Sequence, residues 1–473
     1  MNRGHLLGVA SGAILVPLNS TMLAVALPSV MGDFDVSAST VASLVTIYLG
    51  AVVVALPLAG AVGDRYGHRR TFLFGVIGFA LASLLAATAS AFVVLLVARI
   101  LQAACGSFIS TGAVALVRAA APPERRGAAF GFFDMLVSVP AAVGPFVGGV
   151  IVGALDWRWM FLLAVPVATA AALSVGFWHP SEGPSDAPSV ERPIDVPGLV
   201  LFAGVLAALL AVLLDRGSVV GLAGVAALPL LAVALAVVEG RTAHPAIDPQ
   251  LFRRPGYAAA VAGVLGATVI LHGTFILVPL LVERVLLASP VIAGLVLLGV
   301  SGVSAVAAPF GGRASDRVGR RSPVVIGSAL TAVGLTSLWL AVPIVPAGIA
   351  AAVVVAALLA VVGAGFGAAG SPRQAAAMDA VAHHEVGMAA STYYSGRYLG
   401  GVLGASLAGL VLGDAVSRGS VALGFGLLAV VAVVVAAVSL GLPARAIRHS
   451  HLGAEAAGEP TLDASGDTIG HHG

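Results

Sequence analysis

The sequence predicts an all-α polytopic membrane protein of fourteen transmembrane helices, and three observations carry that expectation. Hydrophobic residues fill 59% of the 473 positions and charged residues only 10%, far below the ~25% charged content of a soluble domain. The apolar residues gather into runs long enough to cross a bilayer. The arginines between those runs fall mainly on alternate connections, as they do when a chain weaves through a membrane.

A hydrocarbon core of ~30 Å needs ~20 apolar helical residues, whose backbone satisfies its own hydrogen bonds. The first run, Leu6 to Met31, exceeds the ~7–15-residue core of a cleavable signal peptide and reads as the first span. Further spans are expected near 40–62, 71–90, 92–117, 128–153 and 160–178, then at 197–214 and 219–238. The last six fall near 257–281, 290–310, 323–342, 347–371, 387–412 and 419–440.

An even number of crossings places both termini on one side. All 24 basic side chains are Arg, with no Lys, which together with the Ala, Val and Gly content suggests a GC-rich bacterial genome. Eighteen of them, from Arg3 and Arg65 through Arg373 to Arg448, lie on the terminal side of the spans. The other side holds only Arg158, Arg216, Arg284 and Arg418, while Arg99 and Arg397 fall inside spans. This bias predicts cytoplasmic termini and a multi-pass protein of the bacterial plasma membrane.

The chain also repeats itself. Gly60, Asp64, Arg65, Gly67 and Arg69 recur, 252 residues on, as Gly312, Asp316, Arg317, Gly319 and Arg321. Each copy joins the second and third helices of a six-helix unit, as in transporters built from related halves. Its glycines allow a tight turn and close helix approach, and its acid and arginines can form a charge latch at the membrane surface; a basic loop that merely sets topology is the plainer reading. The expected organisation is a bundle at 1–178, linkers carrying two inserted helices at 179–256, a second bundle at 257–442 and a disordered tail at 443–473.

These loops resemble the signature between helices two and three of the major facilitator superfamily. Arg99 and Gln102 match its Arg-x-x-Gln-Gly element, with Ala103 in place of the glycine. Gly144, Pro145, Gly148 and Gly149 in the fifth span resemble the element associated with antiporters, with Pro140 replacing its upstream glycine. Trp157, Arg158, Trp159 and Phe161, and the segment from Pro245 to Arg253, are similar to elements of the fourteen-helix drug:proton antiporters. The resemblance implies the major facilitator fold, two pseudo-symmetric six-helix bundles plus two inserted helices, and efflux of drugs or antibiotics by proton antiport.

One departure bears on mechanism. Where the family carries an acid in the first helix, this chain has Asn19, followed by Thr21, Ala26, Leu27 and Pro28. An amide does not titrate, so proton coupling needs another group or is absent. Asp134, about 10 Å into the fifth span, is the candidate replacement acid; the alternative is that it pairs with an arginine near the cytoplasmic end. Arg99 keeps its charge and needs a carboxylate, carbonyls or water, so it reads either as biasing a nearby acid or as a polar anchor with Gln102.

Tyr394 and Arg397 are candidates for contacting a planar or cationic drug, with helix packing the plainer role for the tyrosine, and His272 in the ninth span reads either as a group titrating in the physiological range or as a hydrogen-bonded interior residue. With Asn19 and Gln102 they make up the expected substrate cavity. Glu283 and Arg284 read as an interfacial pair. His383, His384 and Glu385, like His471 and His472, lack the spacing of a metal site.

The single Cys105 excludes an intramolecular disulfide, and a chain without Lys has no phosphate-binding Walker loop. No cofactor, metal or nucleic-acid partner is expected, nor enzymatic activity; the expected partners are a small molecule, protons and the bilayer, and the expected state is a monomer. The runner-up readings are a uniporter or importer of a neutral metabolite, made more plausible by Asn19, and a non-transporting membrane sensor.

Overall fold

The computed structural model describes residues 3–120, 126–176, 196–214, 219–240, 249–381, 386–413 and 416–443, and among these it contains helices and no strand. Five helices open the chain: α1 Arg3–Asp33, α2 Ala38–Tyr66, α3 His68–Ala87, α4 Phe92–Ala120 and α5 Arg126–Ala154. The sixth span is broken into α6 Trp159–Leu162 and α7 Ala164–Gly176. An inserted hairpin, α8 Val196–Leu214 and α9 Val219–Glu239, leads through a 3-10 turn at Pro249–Arg253 to α10 Pro255–Leu280. The chain ends in α11 Pro290–Val318, α12 Arg321–Ala341, α13 Ile349–Asp379, α14 Val386–Leu412 and α15 Arg418–Ser439.

Every expected span falls on a helix. Twelve helical stretches among the described residues are long and apolar enough to cross a membrane, and two shorter apolar stretches, Ala142–Ala154 and Val200–Leu209, lie in α5 and α8. This is a multi-pass membrane protein. The expected linker 179–195, the histidines at 383 and 384 with Glu385, and the tail with His471 and His472 lie outside the described residues.

The two sets of six helices pack by one scheme. In the first, α1 meets α4, α5 and α7, α4 meets α2 and α3, and α3 meets α7; in the second, α10 meets α13, α14 and α15, α13 meets α11 and α12, and α12 meets α15. The sets join through α5 with α11, α2 with α14 and α1 with α10, and the hairpin rests through α8 on α2 and α14. The outward faces of α9, such as Leu222, Leu230 and Val233, are exposed, as lipid-facing residues are.

The apolar core is asymmetric along the membrane axis. At the end away from the termini, one cluster crosses between the sets, joining Met22 to Val30 of α1 with Leu277 and Leu280 of α10 and Val296 of α11. Toward the arginine-rich end the core divides. One cluster there holds Val9, Phe72, Ile109 and Ala168 of the first set alone, and another holds Tyr257, Val324, Ala376 and Tyr393 of the second.

One expectation needs correction. Arg373, assigned to a connecting loop, lies inside α13, which runs eight residues beyond the expected span to Asp379. The guanidinium is buried and donates to Ser328 Oγ at 3.1 Å. Hydropathy alone ends a span at the first arginine, whereas a helix continues wherever neighbouring helices cover the charge.

Candidate transport site

The centre of the first bundle holds a buried polar cluster built around Arg99. It is 1% exposed, and its Nη1 donates to Asn19 Oδ1 at 2.7 Å and to Gln102 Oε1 at 2.9 Å. Gln102 lies one helical turn along α4 and donates in turn to Ser83 Oγ of α3 at 2.8 Å. The guanidinium stacks on the Tyr48 ring of α2, 3.9 Å from its centroid. Four helices therefore converge on one charge. Its Nε and the Tyr48 hydroxyl are both buried without a hydrogen-bond partner.

No carboxylate forms an ion pair with Arg99, Arg373 or Arg397 among the described residues. The side chain of Asp134 lies outside them, but its place on α5 is defined. Gly144, ten residues further along, sits against Leu18 and Thr21, at the level of Asn19. Ten residues of helix rise about 15 Å, so Asp134 stands that much nearer the arginine-rich end than Arg99. Among the described residues, Asp134 is the one acid placed well inside a helix; the others, such as Asp33, Asp64, Glu239, Asp316 and Asp379, stand at helix ends or in turns.

A second polar group faces the first across the joint of α2 and α14. Tyr394 and Arg397, at helical spacing on α14, are exposed, and Gln374 of α13 donates to the Tyr394 hydroxyl at 3.1 Å. His272 of α10 is half-buried, with Nδ1 3.0 Å from the Thr268 carbonyl oxygen. A Cβ on Gly401 would lie 2.9 Å from Leu49 of α2 and 3.1 Å from the His272 ring, so the three helices meet there. Tyr48, Leu49 and Val52 of α2 pack with Ala103 of α4, Val402 of α14 and, partly, Tyr398.

The four residues of the antiporter-like element form the seam of α5. Gly144 abuts Thr21, and a Cβ on Gly148 would stand 2.8 Å from the Met22 carbonyl oxygen, so both face α1. Gly149 faces the other set: a Cβ there would stand 2.6 Å from the carbonyl oxygen of Pro290 on α11. Pro145 takes part as well, since its carbonyl oxygen would lie 2.5 Å from a Cβ on Gly294. The second set repeats the device. Gly400 and Gly404 of α14 sit against Leu265 and Val269 of α10, and Gly401 faces α2. The sequence signal was available in the close grouping of Gly400, Gly401 and Gly404, which parallels that of Gly144, Gly148 and Gly149.

The repeated loops adopt matching turns, with Gly67 at φ +92° capping α2 and Gly319 at φ +87° capping α11. Side chains with a Cβ rarely adopt that region. Arg69 reaches across to α7, donating to the carbonyl oxygens of Val175 at 3.2 Å and Gly176 at 2.7 Å, where a helix C-terminus favours a cation. Arg65 and Arg317 are exposed, Gly60 and Gly312 are unhindered by close backbone, and the Asp64 side chain lies outside the described residues.

In the second loop the linking cation is Arg320, which the sequence reading passed over in favour of Arg321. Its Nε donates to Asp379 Oδ2 at 2.9 Å and its Nη1 to Asp316 Oδ1 at 3.1 Å, tying α11 and α13 together. The hydrogen bonds to Asp379 and Asp316 hold the guanidinium above its already high range. These groups are partly exposed, so Asp379→Asn is expected to lower stability by no more than about 1 kcal/mol. A double-mutant cycle with Arg320→Gln, read by thermal unfolding, measures it.

At the far end, Asp33 of α1 accepts from Trp157 Nε1 at 3.0 Å and from Arg158 Nη1 at 2.6 Å. Arg158 stacks 4.3 Å over Trp157, whose ring packs against Phe34 and Phe161. Glu283 and Arg284 do not form the expected pair. Arg284 instead donates to the Pro28 carbonyl oxygen at 3.0 Å, bridging the two sets, and Glu283 Oε1 is left without a partner on a π-helical turn. Helical geometry explains this, since adjacent residues on a helix diverge by ~100°.

The geometry has parallels among known proteins. The family model described as Major Facilitator Superfamily matches residues 9–288 and 263–463. The chain is 33% identical over 354 residues to the tetracenomycin C resistance and export protein of Streptomyces glaucescens, covering 71% of this chain and 65% of that protein. It thus spans just under two thirds of that relative. Over 407 residues it is 31% identical to the puromycin resistance protein of Streptomyces alboniger, covering 84% of this chain and 79% of the relative. A multidrug resistance protein B homolog of Mycobacterium tuberculosis is 29% identical, covering 85% and 74%. Among solved structures, the peptide transporter POT in complex with sulfate superposes with a TM-score of 0.67 at 15% identity, covering 92% of this chain and 93% of that one. At that identity it supports the fold alone.

Proposed function

The chain belongs to the major facilitator superfamily of transporters, and on that premise we propose that it exports small amphipathic drugs or an antibiotic across the bacterial plasma membrane by alternating access. The observation that carries this reading is the seam of α5. Gly149 of α5, packed backbone to backbone on Pro290 and Gly294 of α11, locks one end of the two bundles together, while the cores at the other end are separate. Two rigid sets that share one tight end and divide at the other are suited to rocking. Relatives named for antibiotic resistance and export support the direction and the kind of cargo.

In this reading the bundles are 1–178 and 257–442, the segment 179–256 is an insertion, and both termini are cytoplasmic, as the arginine distribution supports. The divided end then faces the cytoplasm, and the structure is inward-facing. Asp134 is the proton carrier, standing on the cytoplasmic half of α5 where entering cargo and protons compete. Arg99 holds the polar centre, His272, Tyr394 and Arg397 line the route, and the repeated loops form the cytoplasmic latch. The unit acts as a monomer.

Everted vesicles from an efflux-deficient bacterium, followed with a pH-sensitive dye, provide the test. Wild type is expected to dissipate the proton gradient when drug is added, and Asp134→Asn to lose that response at least ten-fold. Drug-linked proton movement that survives in Asp134→Asn removes the acid from the mechanism. Cargo uptake that continues after collapse of the pH gradient overturns antiport in favour of uniport, the reading that Asn19 favours.

A further inference from the structure

The charged groups inside the helices have one dominant sign. Arg99 and Arg373 are buried, Arg397 is exposed on α14, and His272 stands half-buried beside the joint of α2 and α14. Against them, among the described residues, the helix interiors carry Asp134 alone, about 15 Å from Arg99 along the axis. A cation sequestered from water requires a counter-charge or a full set of acceptors. Arg99 has the neutral oxygens of Asn19 and Gln102 and a π face, and no carboxylate among the described residues.

Two donors stand open at this point. Arg99 Nε and the Tyr48 hydroxyl are each buried and unpartnered, on side chains 1% and 2% exposed. Tyr48 packs with Leu49 and, from the other bundle, with Val402 and, partly, Tyr398. Both α2 and α14 belong to the joint that changes when the bundles rock, so the seat is sealed or uncovered with the transport cycle. Arg397 and Tyr394 lie on the same helix as Val402 and Tyr398, where an entering molecule meets positive charge first.

We propose that the cargo is an anionic amphiphile, a carboxylate or ionised phenol on a hydrophobic frame, met by Arg397 and seated on Arg99 and Tyr48. The inference rests on the export reading and specifies the substrate class of that same site. It also gives Asn19 a role: an acid there would neutralise Arg99 from within and compete with the cargo's charge. An inside-negative membrane potential drives an anion outward, at roughly fifty-fold in concentration ratio per 100 mV for one charge, so loss of the acid in α1 does not leave export without a driving force.

The test is equilibrium binding to the detergent-solubilised full chain, using three fluorescent probes on one frame: anthracene-9-carboxylate, its primary amide, and the anthracenylmethyl trimethylammonium ion. The carboxylate is expected to bind at least ten-fold more tightly than the other two. Arg99→Gln, Arg397→Gln and Asn19→Asp should each remove most of that preference, read as the ratio of carboxylate to amide affinity, while Arg99→Lys retains part of it. An Arg99→Gln chain that fails to fold leaves Asn19→Asp, which keeps every side-chain volume, to decide. Equal binding of the three probes, tighter binding of the cation, or a preference indifferent to Asn19→Asp overturns the proposal. Efflux of the cationic probe by cells, without carboxylate binding, sinks this inference and leaves export standing; carboxylate binding abolished by Asn19→Asp, with no probe moved, does the reverse.

Discussion

Leucine in place of Gly149 is expected to cut export at least ten-fold while the protein still reaches the membrane. A Cβ at this position would stand 2.6 Å from the Pro290 carbonyl oxygen, 3.2 Å from Val291 Cα and 3.3 Å from Gly294 Cα. All three are backbone atoms, so no rotamer change relieves the collision, and α5 and α11 must separate. Their contact joins the two bundles, so the whole closed end is loosened. Small residues that let backbones approach are what hold transmembrane helices together, since burial against a neighbour gains little over lipid. Alanine should lie between wild type and leucine. Gly60→Ala provides the contrast, because nothing lies within 4 Å of a Cβ there and this packing is unaffected; drug-accumulation assays beside membrane-level immunoblots read the series.

Trp157→Ala should be the most destabilising single change at the far end. The indole is 2% exposed, packs 5.8 Å from Phe34 and 6.0 Å from Phe161 between ring centroids, donates to Asp33 and lies under Arg158. Truncating a buried Trp costs about 3–5 kcal/mol, and here it also removes one of the donors that hold the Asp33 carboxylate. Phenylalanine keeps much of the apolar contact and loses the N–H, so Trp157→Phe should cost about 1 kcal/mol. Thermal unfolding of the purified protein, followed by fluorescence-detected size exclusion, separates the two. Similar melting of Trp157→Ala and wild type would mean that lipid or detergent replaces the aromatic packing.

Much of the architecture was legible along the chain. A helix in lipid is long, apolar and self-satisfied in hydrogen bonds, so each crossing writes its signal into ~20 consecutive residues. The extension of α13 past Arg373 was not legible, because a polar residue inside a helix is tolerated only when other helices cover it; the break at Leu163 in the sixth span left no mark in its apolar sequence. The site was half legible. Asn19, Arg99 and Gln102 could be singled out as unusual, yet nothing in the order of residues said that Asn19 and Arg99 touch, or that Tyr48 and Ser83 complete the cluster.

By itself the sequence determined that this chain crosses a membrane many times, where its helices lie, that its two halves carry the same turn at Gly67 and Gly319, and that the first helix carries Asn19 at the place where the resemblance expects an acid. Each of these is a property of a short run of neighbours. Only the tertiary structure decided that Gly144 and Gly148 face one bundle and Gly149 the other, that Arg320 rather than Arg321 ties α11 to Asp379, that Arg284 bridges to Pro28, and that Arg99 stacks on Tyr48 without a carboxylate. Those pairings join residues as far apart as 256 positions. They depend on which faces of which helices meet, a matter of close-packed shape that hydropathy, a local average, does not contain.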